Sequence, residues 1–401
     1  MEIYIEASNT AHTGARSGIP TVVRGLAAGL ALQQCDVRPV RWSFQGRCLT
    51  PLKTKWEANL DRSAGKESHL PWASLSQPRH WPLWLRTLGQ DYKAPIHLHP
   101  AYASMLEGRW LLLPELMQGE HVRLVRDYAR KHGMRVAGIF HDAIPLLHPE
   151  LVFHRTPEGH AGYMKAFAGL DAVIAVSEKS TQDFVQFAEQ KKLRLPPVHA
   201  CRLPAQIAGQ ERETALKKKT DDVVRILYVS TLEPRKNHLM VLAAFEEACA
   251  TLVNINMELH LVGGAYPSAP EIAEKVRAAT RSNPRIFWHE EVGPAALRDF
   301  YRDCDFTVFA SWIEGFGLPV MESLWFGRPC LCSDEGVMAE NARDGGCLMV
   351  NMKDQAAVAV GLAKLAGDPE FRRELGEQVL RRKLKTWDEY GGEILQILKG
   401  I

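Results

Sequence analysis

Two carboxylates bracket a glycine-rich turn. Glu314 and Glu322 are separated by seven residues, which include Gly315-Phe316-Gly317-Leu318-Pro319. The run before them, Phe306 to Ala310, is apolar and reads as a buried parallel strand. Pro319 suits the first position of a helix. Gly315 and Gly317 let the backbone come close to a ligand. The free amides at the start of such a helix face the crevice at the strand's carboxyl end and attract an anion there. A carboxylate beside a bound phosphate repels it unless it is directed elsewhere. Sugar hydroxyls are its natural target, because one carboxylate can accept both hydroxyls of a vicinal diol.

A second group of residues supplies positive charge. Arg235-Lys236-Asn237 follows the apolar run Val224 to Val229 and precedes a helical stretch. Cations near a helix start oppose the helix dipole by about 0.3–1 kcal/mol, and a bound anion reverses that cost. His141-Asp142 ends another strand pattern, Arg135 to Phe140. A side chain at the carboxyl end of a parallel strand points into the ligand crevice. Asp142 also suits a loop cap. Ser177, after Ala172 to Val176, is a helix N-cap candidate. Gly263-Gly264, after strand Glu258 to Val262, forms a loop suited to a flat nucleobase.

These residues must be positioned by an α/β scaffold. A length of 401 residues exceeds one ordinary core and implies two domains. Ile3 to Ala7 reads as the first strand, followed by a loop with Gly14 and Gly18 and a helix from about Ile19 to Gln33. This opens a Rossmann-like unit, yet it lacks the G-x-G-x-x-G of a dinucleotide site. The N-terminus lacks the basic and long apolar regions of a signal peptide. Eight cysteines without C-x-x-C pairs read as structural thiols in a reducing cytosol, with Cys330 and Cys332 on one side of a strand. A formal charge of +2 gives no bulk argument about nucleic acid, and none is expected as a partner. No apolar run reaches transmembrane length, so any membrane contact is expected to be peripheral, at the inner face.

With its glycines and proline in register, Glu314-(seven residues)-Glu322 resembles the signature of family-4 retaining glycosyltransferases of the GT-B fold. That resemblance implies two Rossmann-like domains facing across a crevice, with a last helix crossing back to the first domain. The implied division is 1–205 for an acceptor domain, 206–222 for a linker, 223–386 for a sugar-nucleotide donor domain and 387–401 for the returning helix. The resemblance implies that Glu314 contacts the donor sugar and Glu322 the ribose. His141 would reach the sugar near its reacting carbon. Thr231-Leu232-Glu233-Pro234-Arg235-Lys236-Asn237 is similar to the family's diphosphate segment, with Lys236 the phosphate ligand. Ser230 stands where the family has glycine. Thr231 stands where some members have a phosphate-binding Arg, which leaves Arg235 or a group of the first domain to supply that charge. Gly18 falls where the family has a glycine-containing loop near the diphosphate and acceptor. Ser177 and Asp142 would line the crevice.

The function expected is transfer of a sugar from a nucleotide diphosphate sugar to a glycan or lipid-linked acceptor, with no cofactor and no metal. Lys236, Arg235 and the helix start after Gly317 would stabilise the departing diphosphate. The His-Asp-x-Ile-Pro and Arg-Lys-Asn segments look like those of bacterial mannosyltransferases of surface polysaccharides, which makes GDP-mannose the leading donor. Paired carboxylates also serve a glycosidase, the fold also carries sugar-nucleotide epimerases, and a catalytically silent binding protein is a further alternative. Asp303-Cys304-Asp305 resembles a metal motif of another glycosyltransferase fold, but falls at a helix-to-strand junction and reads as structural.

The chain from Arg41 to Pro100 reads as its least regular part, with Trp42, Trp56, Trp72, Trp81 and Trp84 among prolines. The segment His69 to Leu88 suits docking at a lipid surface through Trp72, Trp81, Trp84, Arg79 and Arg86. Packing of the same tryptophans in a small satellite core is the competing expectation.

Overall fold

The computed structural model describes residues 1–13, 18–52, 60, 96, 106–152, 155–207, 209–216 and 221–401. Trp56, Trp72, Trp81, Trp84 and the 69–88 segment lie outside the described residues.

β1, Glu2–Glu6, is buried at all five positions. A strand buried on both faces belongs in a parallel sheet covered by helices on both sides. It pairs in parallel with β2 (Asp36–Ser43) and with β4 (Trp110–Leu113). β3 (Cys48–Pro51) runs antiparallel beside β2 at the sheet edge. β5 (Arg135–Phe140), β6 (Ala172–Ala175) and β7 (Val198–Ala200) complete the order β3-β2-β1-β4-β5-β6-β7. Arg41, Trp42 and Pro51 therefore stand in regular strands, contrary to the irregular stretch expected from Arg41. Pairing of β2 with β3, and burial of Trp42 beneath Phe44 and Tyr128, override the local proline signal.

β8 (Val223–Val229), β9 (Asn256–Val262), β10 (Ile286–His289), β11 (Phe306–Phe309), β12 (Cys330–Ser333) and β13 (Cys347–Val350) form a second sheet. It is wholly parallel, in the order β10-β9-β8-β11-β12-β13. The strand order reverses between β1 and β4 in one sheet and between β8 and β11 in the other. Such switch points open a crevice at the carboxyl ends of the strands, where ligands bind in open α/β sheets.

Two compact units result. Met1–Leu147, Arg155–Leu203 and Thr386–Ile401 form one, and His148–His154 with Pro204–Lys385 form the other. The segment expected as a connector is held onto the second unit. Glu213 N donates to Trp325 O at 3.1 Å, and Arg212 Nη2 to Val379 O at 2.7 Å. Among the described residues no helix is long and apolar enough to cross a membrane.

The last helix, Trp387–Gly400, opens with a capping box between Thr386 and Glu389 and packs on the helix Ile19–Leu32. Their crossing depends on small residues. A Cβ on Gly29 would lie 2.0 Å from Trp387 O, and one on Gly25 2.4 Å from the Trp387 ring. Gly29→Ala should therefore destabilise the first unit by at least about 1–3 kcal/mol, because backbone meets it rather than a movable side chain. Chemical denaturation of the variant checks this.

Candidate active site

The turn after β8 is a short helical turn, Pro234–Lys236, followed by Asn237 in the left-handed region (φ 59°) and the helix His238–Thr251. Arg235 and Lys236 thus stand just ahead of the helix rather than in it. The turn is fixed on several sides. Tyr228 hydroxyl donates to Lys236 O, and Asn237 Nδ2 to Met352 O at 2.8 Å. Trp312 N donates to Arg235 O at 2.9 Å, and Arg235 Nη1 to Ile313 O at 3.2 Å. The loops after β8 and β11 are therefore stitched together across the switch point, in the same unit.

That stitching brings Glu314 against both cations. Its Oε1 pairs with Lys236 Nζ and, at 2.7 Å, with Arg235 Nη1. Arg235 Nε also reaches Glu233 at 2.9 Å, and Lys236 Nζ lies 5.0 Å from the Phe309 ring centre. The Lys236 and Glu314 side chains are only 10% and 11% exposed, so both charges require compensation. Burial alone would raise the Glu314 carboxyl. Arg235, Lys236 and hydrogen bonds from Lys236 and Ser311 outweigh burial and hold it down at about 2. Burial and Arg235 push Lys236 below the ordinary lysine range, against the pull of Glu314.

The turn Glu314–Gly317 ends on Gly317, left-handed at φ 82°, which enters the helix Leu318–Trp325 with Pro319 at its second position. A Cβ at Gly317 would meet only ordinary contacts, so conformation rather than space requires glycine. Asn341 Nδ2 donates to Phe316 O from the helix Gly336–Ala342 and pins the turn from beneath. Leu318 is half-buried at the helix start, whose first amides have no side-chain cap. Glu322 lies one turn on, where Tyr301 hydroxyl donates to its Oε2 at 2.8 Å. Burial raises the Glu322 carboxyl, and the Tyr301 bond partly offsets this.

Gly263 has a structural duty. Its φ is 144°, and a Cβ there would lie 2.2 Å from Ser230 O. Glycine at 263 is thus required by the close passage of the Ser230 backbone. Trp288 Nε1 takes the Gly263 carbonyl at 2.9 Å. Asp305 Oδ2 accepts from Arg225 N at 2.8 Å at the amino end of β11, the end remote from Glu314.

Gly18, His141, Asp142 and Ser177 belong to the first unit. His141 is buried, and its Nε2 lies 2.7 Å from Pro114 O. A carbonyl can only accept, so Nε2 carries the proton and Nδ1 is left as an acceptor. Burial lowers its basicity, which keeps the ring neutral, while the Pro114 bond and Asp142 act the other way. Asp142 Oδ1 accepts from Ile144 N at 3.0 Å and caps the short helix Ile144–Leu147. Ser177 caps the helix Glu178–Gln190 and is fully buried; it is linked through Ser180 to His141 O at 2.8 Å. Gly18 is left-handed (φ 62°) at the start of the helix Ile19–Leu32.

Sequence reasoning missed the groups that hold these side chains: Tyr228, Tyr301 and Asn341. It also missed a buried acid pair at the switch point of the first sheet. Glu115 accepts from Asn9 N at 2.8 Å and Thr10 N at 2.6 Å. Burial and the charge of Glu115 push Glu6 up to about 8. A Glu at the end of an apolar strand was the available signal. Among the described residues no group of three or more His, Cys, Asp or Glu side chains is placed to hold a metal ion.

Residues 210–382 match the family model described as Glycosyl transferases group 1, so the second unit carries a domain of that group. The chain is 28% identical over 229 residues to the serotype-specific mannosyltransferase WbdA of Escherichia coli, covering 53% of this chain but only 28% of WbdA. Among solved structures, sucrose-phosphate synthase from Thermosynechococcus elongatus superposes with a TM-score of 0.70 at 16% identity, over 100% of this chain and 98% of that one. Anabaena HepE, solved in complex with UDP and glucose, gives 0.64 at 11% identity over the whole of both chains. The fold is GT-B, two α/β units built on one largely parallel and one wholly parallel sheet.

Glu314→Gln should leave two buried cations side by side without their shared counter-charge. The paired carboxylate contributes stability above its unfolded value near 4.5, and that stability is lost as pH falls towards about 2. The variant should lose about 3 kcal/mol at neutral pH and show a flatter acid limb. Urea unfolding between neutral pH and the acid limb checks both parts.

Proposed function

We propose that the chain is a retaining glycosyltransferase that moves a sugar, with mannose the leading choice, from a nucleoside diphosphate sugar to a glycan or lipid-linked glycan in surface polysaccharide synthesis. The observation that carries this reading is the buried Arg235–Glu314–Lys236 cluster at the switch point, beside an uncapped helix start. A glycosidase needs no such pair of cations. Retention and family 4 rest on the motif resemblance. Mannose also draws support from the similarity to the mannosyltransferase WbdA, and GDP-mannose as donor rests on the motif resemblance alone.

In this reading the donor's diphosphate takes over the hydrogen bonds of Lys236 and Arg235. Glu314, released from them, turns to the sugar hydroxyls, and Glu322, oriented by Tyr301, accepts from the ribose. The bond between the anomeric carbon and the diphosphate breaks while a bond to the acceptor oxygen forms. The acceptor's proton goes to the departing phosphate, and the two cations stabilise the charge that grows there. The motif resemblance assigns His141 to a sugar hydroxyl, for which Nδ1 is the acceptor while the protonated Nε2 stays on Pro114 O. The same resemblance assigns Gly18 to the diphosphate and acceptor, and the Gly263 loop suits the base. No cofactor is needed, and the cations make a metal unnecessary. The site of action is the cytoplasmic side of a membrane that the chain touches only peripherally.

Lys236→Ala should remain folded and lose about 100–1,000-fold in transfer, the scale for removing one stabiliser of a developing charge. Wild-type transfer should survive excess chelator. The assay supplies GDP-mannose and an oligomannose acceptor and follows release of GDP and the anomeric configuration of the product. Near-normal turnover by the variant, recovery of a chelated enzyme only with magnesium or manganese, or an inverted product would each contradict this reading. Free mannose formed without acceptor would point to a hydrolase instead.

A further inference from the structure

The second sheet holds a group of thiols that the proposed transfer reaction does not use. Cys330 on β12 is the register partner of Cys347 on β13, and Cys332 is two residues further along β12. Residues two apart on a strand share a face, so the three thiols lie on one side of the sheet, at its edge. Cys330 and Cys332 are fully buried, and Cys347 is half-buried. Adjacent strands run about 4.7–4.9 Å apart. That spacing lies inside the Cα separation of about 4.4–6.8 Å that a disulfide accepts. Cys332 faces Met349 across the strands and is only diagonal to Cys347.

Charge singles out one of the three. Arg382 sits over the loop that leads into β13, its Nη1 donating to Gly345 O at 2.7 Å and its Nη2 to Asn341 O at 3.0 Å. Hydrogen bonds from the Cys330 and Cys332 thiols, joined by the charge of Arg382, hold Cys347 well below the ordinary thiol range despite burial. Burial pushes Cys330 the other way, above the ordinary thiol range. A partly exposed thiol whose ionised form is favoured by a nearby cation is the kind that oxidants attack. Among the described residues no set of ligands is placed for a metal, so the cluster suits sulfur–sulfur chemistry.

We propose that Cys347 is a peroxide-sensitive thiol that closes reversibly onto Cys330 as a disulfide. The Cys347 thiolate attacks one oxygen of hydrogen peroxide, the O–O bond breaks, and the departing hydroxide leaves as water after protonation. The Cys347 sulfenic acid that results is attacked by the Cys330 sulfur, which gives up its proton. The S–O bond breaks, a second water departs and the S–S bond forms. Two thiols are oxidised and one peroxide is reduced to two waters. A dithiol restores both cysteines.

The test uses the full chain, reduced and then exposed to hydrogen peroxide. Remaining thiols are blocked in denaturant and the protein is mapped by mass spectrometry without reduction. A peptide containing Cys347 should appear joined to the one containing Cys330, with loss of two hydrogen atoms, and should separate again with dithiothreitol. Cys332→Ser should keep the link. Cys330→Ser should lose it and leave Cys347 as a sulfenic acid that dimedone traps. The proposal is overturned if Cys347 emerges as a free alkylated thiol from oxidised protein. It is equally overturned if the link survives Cys330→Ser, or if another cysteine takes the oxidant first. Should the serine variants not fold, the wild-type map alone decides, because it identifies which peptides are joined and whether Cys347 changed.

Discussion

Adjacent cations at the end of a buried strand cannot stand alone. Lys236 is almost wholly removed from water and lies next to Arg235 in sequence, so the fold must bring negative charge to it. Glu314 comes from 78 residues further along and supplies that charge. The parallel sheet makes this meeting possible. The order β10-β9-β8-β11-β12-β13 places β8 beside β11 although two strands separate them in sequence, and the loops that leave both carboxyl ends are bonded to each other. Gly317, Asn341 and Tyr228 then hold the loops in the geometry the ion pair needs.

In the proposed reaction the same arrangement is a site held in readiness. Two cations side by side in a low-dielectric setting favour a diphosphate, yet empty of charge compensation they would repel each other. A carboxylate that pairs with both keeps them in place and is itself a group with a second use, because its oxygens suit sugar hydroxyls. In the proposed reaction, exchange of partners rather than creation of new ones would couple donor binding to placement of Glu314. Tyr301 on Glu322 and Pro114 on His141 serve a related purpose: each takes one polar atom and so fixes the direction of the other.

Much of this was legible in the sequence because it is local. The strand, glycine turn and helix around Glu314 are set by apolar runs, a left-handed glycine and a proline near the helix start. The strand ending in His141 and the turn at Arg235 are equally short-range. The contact between Glu314 and Lys236 was not legible. Carboxylate chemistry directed Glu314 to sugar hydroxyls beside a bound donor but did not foresee its pairing with the cations, a long-range contact that depends on strand order. Arg41 and Trp42 were read as irregular because prolines crowd the following residues, and it is pairing with Thr50 and Leu49 of β3 that makes them a strand. Glu6 and Glu115 escaped notice for the same reason, since their proximity is a property of neighbouring strands far apart in sequence.

The central claim is that a donor diphosphate and Glu314 compete for Lys236 and Arg235. Calorimetric titration of GDP and of GMP into the wild type, Glu314→Gln and Lys236→Ala tests it most directly, on variants first shown to be folded. The expected result is that GDP binds the wild type more tightly than GMP, that Glu314→Gln binds GDP more tightly still, and that Lys236→Ala loses the preference for the diphosphate. Equal affinity of GDP for wild type and Glu314→Gln, with the preference over GMP intact in Lys236→Ala, would contradict it.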